Sequence, residues 1–268
     1  MWDYPAMADY ATIRYEVDDR VASLTLSRSE KRNAVDLAMF SELGDATDRA
    51  ASDPEVRVVL VSGEGKSFCA GIDLNALASI DPSGAAFQGF LRMAQRPFRN
   101  LATMAKPTIA AIQGHAVGAG FQLALACDLR LAATDAVFGM FEVRFGIVPD
   151  LGGNKPLAQL VGPSRAKELV WTGRTVDAQE AERLGLVNRV TSPESLAKEA
   201  QALAADLAAG PPLPIGLTKA LINRSSEEPL ETVMEREGQA QATCISSEDH
   251  REAVAAFMEK RPPKFRGR

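Results

Sequence analysis

The segment GHAVGAGFQLALACD, from Gly114 to Asp128, contains three glycines within seven residues, followed by an alanine-rich apolar run. The residues before it, 107–112, are apolar and predict a strand that ends at Gly114. The apolar run predicts a helix with one polar side chain, Gln122. The first N–H groups of a helix lack intrahelical partners, and the helix dipole favours negative charge there. The glycines therefore allow two interpretations: a helix packed closely under a strand, or exposed backbone that binds an oxyanion.

The glycine spacing excludes the two common phosphate-binding motifs. The sequence has no G-x-x-x-x-G-K-[ST] motif, and residues 118–123 read GAGFQL, which lacks the third glycine of G-x-G-x-x-G. A second turn of small residues follows another predicted strand, Val56–Val61, in the segment SGEGKSFCAGIDL at Ser62–Leu74. In that turn the backbone is expected to be exposed at Ala70 and Gly71. Two such turns favour a pair of N–H donors that converge on one anion.

Strand-like and helix-like segments alternate through the first two thirds of the chain, and nearly every predicted strand ends at a glycine. Alternation of this kind predicts an α/β protein with mainly parallel strands covered by helices. The exception is Thr12–Ser27, whose period-two pattern around Asp18-Asp19 predicts a hairpin of two strands. Beyond Pro163 the pattern is mainly helical. The other predicted elements before that point are helices at 33–52 and 87–104 and a strand at 129–132.

The C-terminal third carries several local signals. Ser164 is expected to cap one helix, and Asp177–Glu180 resembles a capping box. Helices are expected at 195–209, 217–223 and 230–244, with the PPLP run at 211–214 as a linker. The last nine residues contain five basic side chains and, like the N-terminus, are expected to be partly disordered.

Composition and charge exclude several classes of protein. The 268 residues are 46% hydrophobic and 24% charged, which is typical of a globular protein with a sizeable core. A net charge of −5 argues against nucleic-acid binding, and no apolar run reaches the length of a membrane span. Cys69, Cys127 and Cys244 are scattered, and no cluster of His, Cys, Asp and Glu has metal-ligand spacing. We therefore expect a cytoplasmic protein without a metal, a disulfide framework or a secretory signal.

Three segments together resemble the crotonase, or enoyl-CoA hydratase/isomerase, superfamily: GEGKSFCAGIDL, KPTIAAIQGHAVGAGFQLALACD and FGMFEVRFGIVPDLGG. The resemblance extends from RSEKRNAV at Arg28–Val35 to REAVAAFMEKRPPKF at Arg251–Phe265. It implies an α/β fold in which residues 1–200 form a spiral of short ββα turns that holds the acyl-CoA site. It also implies a helical region at residues 201–268 that forms homotrimers, often paired into hexamers, and completes the CoA pocket.

The substrates that the resemblance implies are acyl-CoA thioesters, so coenzyme A would enter as part of the substrate and no other cofactor is implied. Family enzymes stabilise a thioester enolate with two backbone N–H groups, which correspond here to those of Ile72 and Ala119. The residues that correspond to CoA contacts are Lys31, Arg32, Lys66, Ala70, Ile72, Asp73, Leu74, Phe257 and Lys260. The last two would reach the CoA of a neighbouring subunit.

Three residues are candidates for acid–base chemistry. Family hydratases hold one water between two glutamates, at the positions of Gln122 and Glu142, and the first of these is an amide here. An amide orients a ligand but does not exchange protons at a useful pKa. Apolar neighbours in the sequence would raise the pKa of Glu142 towards neutrality. Asp150 corresponds to an aspartate of the family's dienoyl isomerases or, alternatively, caps the following turn.

The resemblance leaves the reaction open among several alternatives. The family's monofunctional enoyl isomerases need only the glutamate at the Glu142 position, so double-bond isomerisation is slightly favoured over hydration. Another alternative is a non-catalytic acyl-CoA-binding protein, which Gln122 favours and the pair of Glu142 and Asp150 disfavours. RNA binding, which a few relatives of the fold perform, is disfavoured by the acidic net charge.

Overall fold

The computed structural model describes residues 10–268, and its strands form two sheets. In chain order the strands are β1 (Ile13–Asp18), β2 (Val21–Leu26), β3 (Val58–Gly63), β4 (Thr108–Ile112), β5 (His115–Val117), β6 (Leu129–Ala133), β7 (Val137–Gly139), β8 (Val176–Asp177) and β9 (Arg189–Thr191). The larger sheet has the order β1-β2-β3-β4-β6-β9, and the smaller has the order β5-β7-β8. The predicted hairpin forms the antiparallel pair β1–β2, and the other pairs of the larger sheet are parallel. In the smaller sheet β5–β7 is parallel and β7–β8 is antiparallel. The predicted α/β class with mainly parallel strands is therefore confirmed.

Helices separate most of these strands in the sequence. In chain order they are α1 (Leu37–Ser52), α2 (Leu74–Ala78), α3 (Gly84–Thr103), α4 (Ala119–Ala126), α5 (Asn154–Val161), α6 (Pro163–Thr172), α7 (Ala178–Arg183), α8 (Pro193–Ala209), α9 (Pro212–Ser225), α10 (Leu230–Ser246) and α11 (Glu248–Glu259). The last four follow one another without an intervening strand, so the predicted helical C-terminal region is confirmed.

Alternate residues of the central strands are buried in two cores on opposite faces of the larger sheet. Val59 of β3 belongs to the larger core, to which α1, α3 and α4 contribute, whereas its neighbour Val58 belongs to the smaller one. The smaller core is closed by α8, whose Ala200, Ala204 and Ala208 recur at a four-residue spacing along one face. Burial on both faces explains why these strands read as continuous apolar runs.

The glycine-rich segment Gly114–Asp128 contains β5, a single linking residue, Gly118, and then α4. All eight residues of α4 are buried, including Gln122, because the helix is enclosed by its neighbours on every side. The segment therefore brings the start of a buried helix to the end of a short strand, as its pattern predicts.

Two expectations about helix boundaries are wrong and one is confirmed in part. The PPLP run is not a linker, since Pro212 begins α9 at a first-turn position, where a missing N–H costs no helical hydrogen bond. Ser164 is not a cap, because α6 begins one residue earlier and Gly162 is its N-cap. Asp177 does cap α7 and accepts a hydrogen bond from Glu180 N at 2.7 Å. The Glu180 carboxylate, however, pairs with Arg174 rather than closing the capping box.

The expected disorder of the C-terminal tail is also wrong. The buried carboxylate of Asp249 accepts hydrogen bonds from Arg266 N at 2.6 Å and from Gly267 N at 2.7 Å. Arg57 donates to Phe265 O at 2.7 Å and so joins the tail to the start of β3. The corresponding expectation for the N-terminus concerns residues 1–9, which lie outside the described residues.

The predicted division of the chain after residue 200 falls inside α8, and it stays a prediction. Within the described residues, no helix combines the length and the hydropathy that a membrane span requires. Cys69, Cys127 and Cys244 carry free thiols, in agreement with the absence of a disulfide framework. Burial raises the pKa of the Cys69 and Cys127 thiols to about 12, so both are inert core residues.

Candidate active site

Two glycine turns that are distant in the sequence contact each other at the start of α4. Val117 N donates to Cys69 O at 3.1 Å, and Cys69 N donates to His115 O at 2.8 Å. A methyl group built on Gly71 would lie 3.0 Å from Val117 O and 3.8 Å from Ala119 N. The two turns predicted to present N–H donors are therefore neighbours.

Glycine is required at two positions of this contact. Gly118 has φ 53° and ψ −124°, a combination that L side chains disfavour, and it is the residue that turns the chain from β5 into α4. A Cβ atom on Gly120 would lie 2.4 Å from Cys69 O, well inside van der Waals contact. The interpretation of the glycines as tight packing is therefore correct, and it is compatible with a second role for the exposed backbone.

The N–H groups of Ile72 and Ala119 have no acceptor within residues 10–268. Ala119 is the first residue of α4, so its N–H has no partner inside the helix. Ile72 forms a bridge with Val35 that uses Gly71 O and Asp73 N, which leaves the N–H of Ile72 itself outside the bridge. Both predicted oxyanion donors therefore lack a protein acceptor in the described part of the chain.

Glu142 is the buried carboxylate beside these turns. It begins a short 3-10 turn (Glu142–Phe145) shortly after β7, and only 7% of its surface is exposed. Its Oε1 lies 3.6 Å from the position of a Cβ atom on Gly118 and accepts a hydrogen bond from Gln122 Nε2 at 2.7 Å. Its Oε2 is buried and has no hydrogen-bond partner among the described residues.

The surroundings of Glu142 favour its protonated form. Burial raises the pKa of Glu142 above its ordinary value, the hydrogen bond from Gln122 opposes this shift, and the negative charge of Asp150 adds to it. Arg144, on the same turn, lies over the ring of Phe141 with its guanidinium carbon 4.2 Å from the ring centroid. A carboxyl group with a raised pKa beside available N–H donors is suited to accept and return a proton.

Gln122 joins Glu142 to the loop that carries Asp150. Its amide oxygen accepts hydrogen bonds from Leu151 N at 3.0 Å and Gly153 N at 3.2 Å, while its amide nitrogen donates to Glu142. Sequence analysis expects Gln122 to orient a water or a carbonyl. In the structure its oxygen is fully used by protein donors, and one of its two N–H groups is used by Glu142.

Asp150 lies at the edge of a large cavity. The cavity has a volume of about 1240 Å³ and is enclosed by α3, α4, α5 and α9, and its walls include Gln122 and Asp150. Desolvation by the surrounding protein raises the pKa of Asp150, although the residue is exposed at the rim. The alternative role of Asp150 as a cap is not observed, because the N-cap of α5 is Gly153 and no side chain caps that helix.

Seven of the residues predicted to contact CoA lie together. Lys31 and Arg32 are exposed on a 3-10 turn, and Arg32 O accepts a hydrogen bond from Ala70 N at 2.9 Å. This bond sets the Lys31–Arg32 turn beside the segment that contains Lys66, Ala70, Ile72, Asp73 and Leu74. The carboxylate of Asp73 forms an ion pair with Arg28 at 3.2 Å, and its contact with CoA stays a prediction.

The other two, Phe257 and Lys260, are not brought to this site within one chain. Phe257 is 82% exposed on α11, and Lys260 ends that helix with φ 55°. Helix α11 packs against α10. Their predicted contact with a neighbouring subunit's CoA stays a prediction.

Two residues that the sequence did not single out, Asn33 and Arg28, hold together the segments predicted to contact CoA. Asn33 is fully buried, has φ 56° and donates from Nδ2 to Glu64 O at 3.0 Å and Ser67 O at 2.8 Å. Arg28 pairs with both Asp36 and Asp73. Both residues occur in the quoted RSEKRNAV segment, but nothing in their spacing indicates partners more than thirty residues away.

Comparison with known proteins identifies the family. The family model described as enoyl-CoA hydratase/isomerase matches residues 16–268. The chain belongs to the enoyl-CoA hydratase/isomerase family. A crotonyl-CoA hydratase from Syntrophomonas wolfei is 37% identical over 96% of this chain and 98% of the relative. The resemblance stated from the three sequence segments is therefore confirmed.

Solved structures of family members confirm the predicted crotonase-like fold. An enoyl-CoA hydratase from Bacillus anthracis superimposes with a TM-score of 0.91 at 34% identity, covering 96% of this chain and 100% of that one. A homologue from Thermobifida fusca was solved in complex with acetoacetyl-CoA, with a TM-score of 0.83 at 36% identity, covering 88% of this chain and 96% of that one. The chain is thus an acyl-CoA enzyme of this family.

Proposed function

We propose that this enzyme moves a double bond along an enoyl-CoA, using Glu142 to transfer one proton. The observation that carries the proposal is a single buried carboxylate beside two N–H groups, of Ile72 and Ala119, that have no acceptor among residues 10–268. Glu142 removes a proton from C2 of a 3-enoyl-CoA, and the electron pair of the broken C–H bond delocalises onto the thioester oxygen. The proton is then added at C4, which gives the 2-enoyl-CoA and restores the carboxylate.

The two N–H groups would stabilise the enolate that forms between these steps. Negative charge develops on the thioester oxygen, and donors that are fixed before the reaction need no reorganisation to meet it. Loss of one such donor typically costs about 3–4 kcal/mol of transition-state stabilisation. A Cβ at 71 would approach Ala119 N and one at 118 would approach the Glu142 carboxylate, so glycine at both positions would keep that space for the thioester.

The amide of Gln122 supports isomerisation over hydration. In the two-glutamate arrangement of the family's hydratases, one carboxyl group activates water and the other supplies a proton, whereas Gln122 transfers neither. Hydration is the second candidate, favoured by the name of the Syntrophomonas relative. A single glutamate would perform it slowly. A non-catalytic acyl-CoA-binding protein would turn over neither substrate.

The proposal assigns the remaining parts of the site by function. Lys31, Arg32 and Lys66 would contact the CoA phosphates, and the acyl chain would enter the cavity between α3 and α9. No cofactor besides the CoA of the substrate is needed. The chain would act as a homotrimer, or as two trimers paired into a hexamer, in which Phe257 and Lys260 reach the neighbouring CoA. A cytoplasmic location stays a prediction.

Replacement of Glu142 tests the assignment of the base. The purified enzyme should convert a trans-3-enoyl-CoA to the trans-2 isomer faster than it hydrates a trans-2-enoyl-CoA. Glu142→Gln should lower kcat for isomerisation by about 10²- to 10⁴-fold, the usual contribution of a positioned acid–base group, with little change in KM. The measurement is the ultraviolet absorbance of the conjugated thioester, followed at several substrate concentrations.

The matched control is Glu16→Gln, which removes an exposed carboxylate from the edge strand β1. It should leave kcat unchanged. Full activity of Glu142→Gln on whichever substrate reacts would show that another group is the base. Asp150→Asn should matter for a 3,5-dienoyl-CoA, whose proton must travel further, and little for the 3-enoyl substrate.

A further inference from the structure

The orientation of the Gln122 amide is fixed by its own hydrogen bonds. Two backbone N–H groups, of Leu151 and Gly153, point at one end of the amide, so that end must be the oxygen. A flipped amide would set its NH₂ group against these two donors and its oxygen against the Glu142 carboxylate. Gln122 is also 99% buried, since only 1% of its surface is exposed. It therefore presents an N–H donor, and only a donor, to Glu142 Oε1.

The packing around Gln122 gives this arrangement little freedom. A Cβ atom on Gly153 would lie 2.7 Å from Gln122 Cγ and 2.9 Å from Met140 Cε, so glycine at 153 allows the backbone to approach the amide. The loop that contains Asp150 is held from its other side by Gln95 Nε2, which donates to Asp150 O at 2.7 Å. The loop that orients the Gln122 amide is therefore bonded to α3 through Gln95 and to α4 through Gln122 itself.

The Glu142 carboxyl group has one hydrogen-bonding side chain among residues 10–268. Oε1 is occupied by Gln122, and Oε2 is buried with no partner among residues 10–268. The charged group whose field reaches Glu142 is Asp150, since α4 presents only the neutral amide and Arg144 lies over Phe141. Gln122 does not hold a proton taken from the substrate, and Oε2 has no partner among the described residues to which that proton could pass.

We propose that Gln122 is a positioning residue that confines one proton to Glu142 and the substrate, so that the proton removed from C2 is the one returned at C4. The N–H donor stabilises the carboxylate before the reaction, and its hydrogen bond weakens once the carboxyl group is protonated, which favours return of the proton. Because an amide neither accepts nor releases a proton at a useful pKa, Gln122 does not act as a second carrier of the transferred proton. This inference rests on the proposed isomerisation and deepens it.

Deuterium incorporation tests the proposal directly. The 3-enoyl-CoA is converted in deuterium oxide, and the deuterium in the 2-enoyl product is counted by mass spectrometry after a small fraction has reacted. The wild-type product should carry little deuterium. Gln122→Glu keeps an acceptor for Leu151 N and Gly153 N but sets a second carboxyl group beside Glu142. Two such carboxyl groups share protons, so deuterium incorporation should rise several-fold.

The pH profile separates positioning from a merely structural role. Gln122→Met removes the donor and keeps the length of the side chain. Without the hydrogen bond that stabilises its charged form, Glu142 should titrate higher, and the acidic limb of kcat/KM should move up by about one pH unit or more. The control is Gln201→Met, which makes the same change at an exposed position of α8 and should move neither the limb nor the deuterium count.

Failure of this inference differs from failure of the proposed function. Full deuterium incorporation by the wild type, or an acidic limb that Gln122→Met leaves in place, overturns the positioning role while isomerisation stands. If no enoyl-CoA is converted, the ¹³C carboxyl signal of Glu142, assigned with Glu142→Gln, is titrated instead. A higher titration midpoint in Gln122→Met than in the wild type supports the positioning role, and equal midpoints reject it. If the Met variant does not fold, the same comparison is made with Gln122→Leu, which also removes the donor and adds no charge.

Discussion

Single residues decide whether the two N–H donors are neighbours. The start of α4 approaches the second turn so closely that Gly120 has no room for a side chain, since its Cβ would lie 2.4 Å from Cys69 O and 2.7 Å from Cys69 Cβ. Backbone atoms cannot move aside as the end of a flexible side chain can. The separation of the Ile72 and Ala119 amides therefore depends on the absence of one methyl group.

Gly120→Ala should consequently impair both stability and catalysis. We expect the free energy of unfolding to fall by about 1–3 kcal/mol, as for overpacked cores, and kcat to fall more than substrate affinity. Chemical denaturation and steady-state kinetics provide the two measurements. Gly89→Ala is the control, because a Cβ there meets nothing within 4 Å and Ala favours the helix α3 by about 1 kcal/mol. Equal effects of the two substitutions would contradict the argument.

At the scale of elements, one lysine joins α9 to the rest of the fold. Lys219 Nζ forms an ion pair with Asp128 at 2.8 Å and donates to Leu101 O and Lys106 O, each at 3.0 Å. The Lys219 side chain is only 9% exposed. Asp128 in turn accepts a hydrogen bond from Thr108 N at 2.8 Å, where β4 begins. The ammonium group of Lys219, in the middle of α9, thus contacts the C-terminal part of α3 and the residues just before β4 and β6.

Lys219→Met should loosen α9 and the cavity that it encloses. Breaking a buried ion pair leaves an uncompensated charge, so we expect a loss of about 3 kcal/mol in the free energy of unfolding, with Asp128 still bonded to Thr108. Amide hydrogen exchange should be faster in the variant than in the wild type, and the increase should be larger in α9 than in β3. Lys155→Met, which breaks the exposed pair with Glu227 on the cavity rim, should cost only about 0–1 kcal/mol. Unchanged exchange in α9 would refute this role of Lys219.

At the scale of the whole molecule, α10 has apolar side chains that residues 10–268 leave exposed. None of its residues is buried, and Leu230, Met234 and Ile245 are 67%, 60% and 52% exposed. Helix α11 adds Phe257, which is 82% exposed. Exposed apolar side chains of this size are typical of an interface, and the homotrimer stays a prediction.

Sedimentation should therefore give three times the mass of the chain, or six times for paired trimers. Met234→Glu introduces a charge into the proposed interface and should shift the protein towards the monomer, because burying an unpaired carboxylate is costly. Gln239→Glu adds the same charge to another exposed face of α10 and should leave the assembly intact. A wild-type protein that sediments as a monomer at micromolar concentration would contradict the assignment.

Local pattern by itself determined the α/β class, the hairpin, most helices and the two glycine turns, since these depend on apolar periodicity and on residues that tolerate unusual backbone. The resemblance of three segments identified the family and indicated Glu142 and Gln122. Local pattern failed at the PPLP run and at the C-terminal tail. There Pro212 fits the first turn of a helix, and the tail is held by the distant Arg57 and Asp249.

Only the tertiary structure decided what Gln122 does. Its partners Glu142, Leu151 and Gly153 lie twenty or more residues away in the sequence, and the direction of an amide depends on which groups face it. The same holds for Asn33, whose hydrogen bonds join the segments expected to bind CoA. The sequence determines which side chains can donate or accept a hydrogen bond, whereas long-range packing determines which donor meets which acceptor.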